Sequence, residues 1–145
     1  MTCHLIWGCD PSLQFEQPWI LYLLNSLSIK QSFWFSDNHA RPTLLANQKV
    51  ILVESGLLRL VRNIHPSALQ LSDSARKSRI SYLKDNLSLV IHVSDEEGLD
   101  AETWYNQLPN GLKLFRNFYH QRFYSYCFDI FSFPIGPRDA FIEVL

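Results

Sequence analysis

The sequence predicts an α/β fold with a mostly parallel sheet of about six strands, and three features of the chain favour that class. Short apolar or β-branched runs alternate with segments of helical periodicity. The run Leu87 to Val93 has the length of a strand and stops abruptly at Ser-Asp-Glu-Glu-Gly, which is typical of a strand buried on both faces. Polar residues follow each predicted strand. Because helices separate the strands, we expect right-handed βαβ units and a three-layer, Rossmann-like domain.

The predicted elements follow this alternation from one end of the chain to the other. Strands are predicted at 3–7, 32–35, 50–53, 87–93, 112–115 and 127–133. Helices are predicted at 16–27, 73–84 and 100–108, with shorter helical segments at 57–64 and 119–124. Pro66 is expected to end the first short segment, and Ser72 or Asp73 to cap the helix that follows. The basic residues of that helix are interpreted as a solvated face: Arg76, Lys77, Arg79 and Lys84.

Composition limits the classes of function. The 145 residues fit one domain spanning 1–145, with 47% apolar and 19% charged residues, as in a globular protein. A net charge of -1 gives no electrostatic reason to expect nucleic acid as a partner. No signal peptide or transmembrane segment is predicted, so the expected location is cytoplasmic, with peripheral contact at a membrane as the alternative.

No bound cofactor or metal ion is expected from the motifs. Neither a Gly-x-Gly-x-x-Gly pattern nor a Gly-Lys-Ser/Thr pattern occurs, so a dinucleotide or P-loop site is not supported. The three cysteines lack the Cys-x-x-Cys spacing that zinc sites use, and their odd number argues against a disulfide framework.

Polar residues that follow strand ends form the candidate site. The carboxyl ends of parallel strands share one edge of the sheet, and ligands of open α/β sheets bind outside that edge. We expect Asp95 and Glu96 to be the catalytic carboxylates. Substrate contacts are predicted for Ser94, His92, Arg116, Asn117, Asp10 and Gly136. Further polar residues placed by the prediction at the same edge are Asp37, His39, Glu54 and Ser55.

Structural roles remain open for several of these residues. Asp95 and Glu96 are adjacent, so one of them is free to face the crevice while the other caps the following helix. His92 lies inside its strand, where a histidine is more often an interior residue than a base. Arg116 suits either an anionic ligand or a buried ion pair with Asp95 or Glu96.

The second half of the chain resembles the N-terminal, Rossmann-like domain of exostosin-like GT-B glycosyltransferases. The resemblance covers roughly Leu87 to Phe141 and depends on the order and spacing of short motifs. In that group a strand ending in His-Leu-Ser-Asp-Glu precedes an Arg-Asn-Tyr-Tyr pattern and a Pro-Leu-Gly pattern. The corresponding features here are His92-Val-Ser-Asp-Glu96, Tyr105 in the next helix, Phe115-Arg-Asn-Phe-Tyr119 and Phe133-Pro-Ile-Gly136.

The resemblance implies transfer of a sugar from a nucleotide-sugar to a glycan or polysaccharide acceptor, without a metal ion. The domain matched here would bind the acceptor, with Asp95 or Glu96 as the base. A C-terminal donor-binding domain or a partner chain would bind the nucleotide. Since Leu145 falls about where that second domain begins, we expect the chain to be inactive alone. Two other readings stay open: a non-enzymatic α/β binding module or relict domain, and a small enzyme acting on a phosphorylated metabolite.

Overall fold

The computed structural model describes residues 2–11, 20–22, 24–25, 27–55, 66–93, 102–116 and 129–132. Its strands are β1 (Cys3–Trp7), β2 (Ile29–Phe33), β3 (Val50–Ser55), β4 (Leu87–Val93), β5 (Lys113–Arg116) and β6 (Asp129–Ser132). Its helices are α1 (Pro66–Leu83) and α2 (Glu102–Tyr105). The six strands form one sheet in the order β2-β1-β3-β4-β5-β6, and every neighbouring pair is parallel. The predicted α/β class and strand number are confirmed.

The sheet is buried on both faces, as the continuous apolar character of its central strands predicts. On one face, Ile6 and Val90 belong to a buried cluster that includes Ile80 of α1 and Trp104 of α2. On the other face, strand residues pack with Ile20, which belongs to the helical residues 20–22. The described residues therefore form three layers, with α1 and α2 on the same side of the sheet.

The strand order places a topological switch between β1 and β3. From β1 the chain moves outward to β2, whereas β3 and the later strands extend in the other direction. Open α/β sheets commonly bind ligands at the carboxyl edge beside such a switch. A second location on the same edge, between β4 and β5, carries the residues of the resemblance.

Strands β1 and β4 have the predicted bounds, whereas the bounds of β2, β3 and β5 differ from their predictions. β2 begins at Ile29 rather than at residue 32, because it is an edge strand whose Lys30 and Gln31 are exposed and interrupt the apolar pattern. β3 continues through Glu54, whose carboxylate is buried in an ion pair rather than solvated beyond the strand. β5 is displaced by one residue from its predicted range, and the described strand β6 lies within the range predicted for it.

Helix α1 differs most from its prediction. It begins at Pro66, which opens this helix instead of closing the preceding segment, since proline is well suited to a first helical turn. Ser72 and Asp73 lie inside the helix, so the predicted cap is wrong. Arg79 is buried and Arg76 is partly buried, so the basic residues of this helix do not form one solvated face. The predicted segments at 57–64 and 119–124 lie outside the described residues.

Two further helical segments end before their predicted last residue. In the range predicted as 16–27, the described helical residues are 20–22, and a turn follows at 24–25. In the range predicted as 100–108, α2 ends at Tyr105 and the chain continues through turns to Leu108. The predicted turn after it contains Gly111 with a φ of 77°, a conformation that glycine adopts without strain. No helix within the described ranges has the length and apolarity needed to cross a membrane.

Candidate functional site

Three buried polar side chains meet at the carboxyl ends of β4 and β5. His92 and Arg116 are register partners on these neighbouring strands, and both are fully buried. The hydroxyl of Tyr105, from α2, lies 2.6 Å from Nδ1 of His92 and accepts a 2.8 Å hydrogen bond from Nη1 of Arg116. Because a guanidinium only donates, the phenol can give its own proton to His92 Nδ1, which places the ring proton of a neutral His92 on Nε2.

Aromatic packing holds this group in place. The His92 ring meets the Trp104 ring edge to face at 5.0 Å and the Tyr105 ring at 5.6 Å. Trp104 and Tyr105 pack on each other at 4.7 Å, and the Arg116 guanidinium carbon lies 5.9 Å from the Tyr105 ring. Such edge-to-face pairs add to the free energy of burial and fix ring orientation. We call His92, Trp104, Tyr105 and Arg116 the β4/β5 polar cluster.

A different arrangement occupies the switch point between β1 and β3. Glu54, near the end of β3, is 1% exposed and accepts two hydrogen bonds from Arg79 of α1. The distances are 2.6 Å from Nε to Oε1 and 2.9 Å from Nη2 to Oε2. Arg76 lies one helical turn earlier, with its Nε 3.6 Å from Glu54 Oε2. Burial lowers the pKa of Arg79, but the Glu54 carboxylate raises it by more, so the net pKa is above its usual value.

Gly8 and Cys9, which follow β1, lie beside the Glu54–Arg79 ion pair, which we call the switch-point ion pair. A Cβ added to Gly8 would lie 2.7 Å from Cδ of Glu54 and 2.9 Å from Nε of Arg79, so only glycine fits without displacing the pair. Burial, and then the Glu54 carboxylate, raise the pKa of the Cys9 thiol, which is therefore neutral near pH 7. The protein's own carboxylate thus lies against Gly8, directly after β1, at the switch point of the sheet, where open α/β sheets commonly bind ligands.

The structure separates the predicted site residues into two locations. His92 and Arg116 are brought together, whereas Asp10 follows β1 on the far side of β3. β1 and β4 are two strand spacings apart, about 10 Å at roughly 4.8 Å per strand. Ser94, Asp95, Glu96, Asn117 and Gly136 lie outside the described residues, so their predicted roles stay predictions.

Two features of the sites were missed by reading the residues alone. Tyr105 entered the sequence interpretation only through the resemblance, because a tyrosine in a short helix is not distinguishable from a core residue. The Glu54–Arg79 pair is more readily inferred from the sequence than the role of Tyr105. Arg79 shares the helical face of Leu83, and a cation on an apolar face requires a buried carboxylate partner.

Comparison of the chain with protein-family models, curated proteins and solved structures gives no match. Within the described ranges, no group of three His, Cys, Asp or Glu side chains is placed to hold a metal ion.

Proposed function

We propose that this chain is the acceptor-binding part of a GT-B glycosyltransferase, which transfers a sugar from a nucleotide-sugar to a glycan or polysaccharide acceptor. One observation carries the proposal. His92, Tyr105 and Arg116 come from three successive features of the sequence resemblance, and their polar atoms meet at 2.6 Å and 2.8 Å in the fold. Chance similarity between short motifs would not require their polar side chains to converge.

The β4/β5 polar cluster lies where the chain leaves β4, and the predicted catalytic carboxylates follow β4 directly in the sequence. β4 ends at Val93 and β5 ends at Arg116, both at the carboxyl edge of the sheet. Ser94, Asp95 and Glu96 follow Val93 in the sequence, so the chain enters this segment from the edge where α/β sheets bind ligands. We therefore assign the acceptor to the β4/β5 end of the sheet.

The proposed chemistry needs one base and a fixed acceptor. Asp95 or Glu96 accepts the proton of the acceptor hydroxyl as its oxygen bonds to the anomeric carbon of the donor sugar. The bond from that carbon to the nucleotide breaks, and the nucleotide leaves with the electron pair. A donor-binding domain or partner chain supplies the nucleotide-sugar. Since His92 and Arg116 are fully buried, we assign them the role of holding the strand ends in register with α2.

Acceptor binding tests this proposal. The purified chain is titrated calorimetrically with cellobiose, maltose, lactose and diacetylchitobiose. We expect at least one to bind, and the Asp95→Asn or Glu96→Gln variant to bind it more weakly, because a carboxylate accepts stronger hydrogen bonds than an amide. Asp85→Asn is the matched control, since this exposed carboxylate precedes β4 at the opposite edge of the sheet. Absence of binding to every saccharide, or equal losses in Asp85→Asn, would contradict the proposal.

A further inference from the structure

The β4/β5 polar cluster contains a buried hydrogen-bond donor with no acceptor. Trp104 is fully buried, and its indole Nε1 has no hydrogen-bond partner within the described part of the chain. An indole nitrogen is a donor only, so no change of tautomer or protonation relieves it. Buried donors without acceptors are rare in folded proteins, and each has a cost because the donor has given up its water.

Two other buried rings of the same chain show why Trp104 differs. Trp7 is also fully buried, but its Nε1 donates to Oε1 of Gln31 at 3.0 Å. His4 has no partner at Nδ1, but its Nε2 lies 2.6 Å from the Ser32 hydroxyl. Burial, followed by the charge of Lys30, lowers the pKa of His4, so the neutral ring can leave a lone pair rather than a proton at Nδ1. Trp104 has no such freedom.

Trp104 lies near the edge of the sheet where the ligand is proposed to bind. Its ring packs against His92, one residue before the end of β4, and against Tyr105. The other polar groups of the cluster supply mainly donors: the Arg116 guanidinium has no acceptor atom, and the Tyr105 hydroxyl already accepts from it.

We infer that Trp104 is a ligand-binding residue, whose indole N–H donates to a hydroxyl or oxyanion oxygen of the ligand bound at the β4/β5 end of the sheet. The inference rests on the proposed function for the identity of that oxygen, which is then a saccharide hydroxyl. Because the donor is enclosed, the ligand reaches it through local opening of the chain, so association is slower than diffusion.

An isosteric replacement separates ligand binding from folding. Trp104→3-benzothienylalanine replaces the indole N–H by sulfur at nearly constant volume, and the same replacement at Trp7 is the matched control. At Trp104 we expect an unchanged or smaller unfolding equilibrium constant in urea, since a donor without an acceptor is removed. At Trp7 we expect that constant to rise about three- to tenfold, the value of one neutral hydrogen bond. An equal rise at both positions would show that the Trp104 donor is already satisfied and would overturn the inference.

Ligand titration then tests the inference and the proposed function separately. Chain labelled with ¹⁵N-tryptophan is titrated with the four saccharides and with inorganic phosphate, and the Trp104 indole resonance is followed. A saccharide that shifts this resonance, and binds about three- to tenfold more weakly after the Trp104 replacement, supports both proposals. A shift with phosphate alone supports the inference and contradicts the glycan function. Saccharide binding with an unchanged affinity after the replacement overturns the inference and leaves the function standing. No binding of either probe contradicts both.

Discussion

The two polar groups at the carboxyl edge of the sheet differ in how their charges and donors are satisfied. At the switch point, Glu54 meets Arg79 in a two-bond ion pair, and Gly8 lets the carboxylate lie directly against the β1 loop. In the β4/β5 polar cluster, the Trp104 indole N–H has no acceptor within the described residues. The comparison indicates that the protein's own Glu54 and Arg79 satisfy each other at the switch point, whereas a donor of the β4/β5 polar cluster lacks an acceptor among the described residues. Ligand binding is therefore expected at the neighbouring strand ends.

The largest effect is expected from breaking the switch-point ion pair. Glu54→Gln leaves the Arg79 guanidinium buried without its counter-charge, so the free energy of unfolding should fall by about 3–5 kcal/mol. Urea denaturation measures this loss. Asp85→Asn is the control, and removal of this exposed carboxylate should change stability by less than about 0.5 kcal/mol.

A double variant tests the cause of that loss. Glu54→Met combined with Arg79→Met removes both charges and should recover most of the stability, because apolar side chains of similar size often replace a buried pair without penalty. If Glu54→Gln lowers the free energy of unfolding no more than Asp85→Asn does, the Glu54–Arg79 ion pair does not stabilise the fold.

Gly8→Ala tests the close approach of the carboxylate. The added Cβ would displace Glu54 or Arg79, and we expect a loss of about 2–3 kcal/mol in the free energy of unfolding, at the upper end for overpacking. Gly111→Ala is a useful contrast, since it meets no atom within 4 Å and is disfavoured only by its φ of 77°, at a cost of about 1 kcal/mol.

The two glycines should respond differently to a second change. In a Glu54→Ala background the atoms that collide with the new Cβ are largely gone, so the cost of Gly8→Ala should shrink while that of Gly111→Ala stays the same. Additive losses at Gly8 would show that the carboxylate does not occupy this position.

Tyr105→Phe probes the β4/β5 polar cluster. It removes the hydroxyl shared by His92 and Arg116, so we expect a loss of about 1–3 kcal/mol in the free energy of unfolding. Tyr82→Phe is the matched control, because that hydroxyl donates to the Pro42 carbonyl at 2.7 Å from a side chain that is 36% exposed. Its removal should cost about 0.5–1 kcal/mol. Equal losses of unfolding free energy in the two variants would show that the Tyr105 hydroxyl does not bridge His92 and Arg116.

A smaller effect is expected from acid. The pKa of His4 is lowered by burial and by Lys30, so below about pH 6.5 the unfolded chain binds a proton that the folded chain resists. Stability therefore falls as the pH drops from 6.5 toward the folded-state pKa. His4→Gln should flatten this part of the pH dependence of urea denaturation, and an unchanged slope would contradict the assignment.

The smallest expected effect is kinetic and concerns Cys9. Its raised pKa keeps the thiol protonated, so at pH 8.5 iodoacetamide should alkylate Cys9 at least about tenfold more slowly than Cys3, as followed by peptide mass spectrometry. Denaturation in urea should equalise the two rates. Equal rates in the folded chain would show that Cys9 does not lie in the apolar, acidic surroundings of the switch point.

The sequence predicts the fold better than it predicts the sites. The sequence predicts both ends of β4 correctly because an apolar run bounded by carboxylates has few alternatives. The predicted start of β2 is wrong because an edge strand needs no continuous apolar pattern. The predicted role of Pro66 is wrong because proline both closes and opens helices. His92 and Arg116 stand near predicted strand ends and are register partners in the sheet, whereas their substrate-binding roles stay predictions. Their link through Tyr105, and the pairing of Glu54 with Arg79, depend on tertiary geometry that no local pattern contains.

Chemical-shift mapping of the bound ligand tests the central comparison most directly. Backbone ¹H–¹⁵N spectra of the full chain are recorded during titration with whichever saccharide binds in calorimetry. The account predicts that the largest shifts occur at the carboxyl ends of β4 and β5 and in α2, at Val93, Trp104 and Arg116. Largest shifts at Gly8, Cys9 and Glu54 would show instead that the ligand opens the switch point, and would contradict the account.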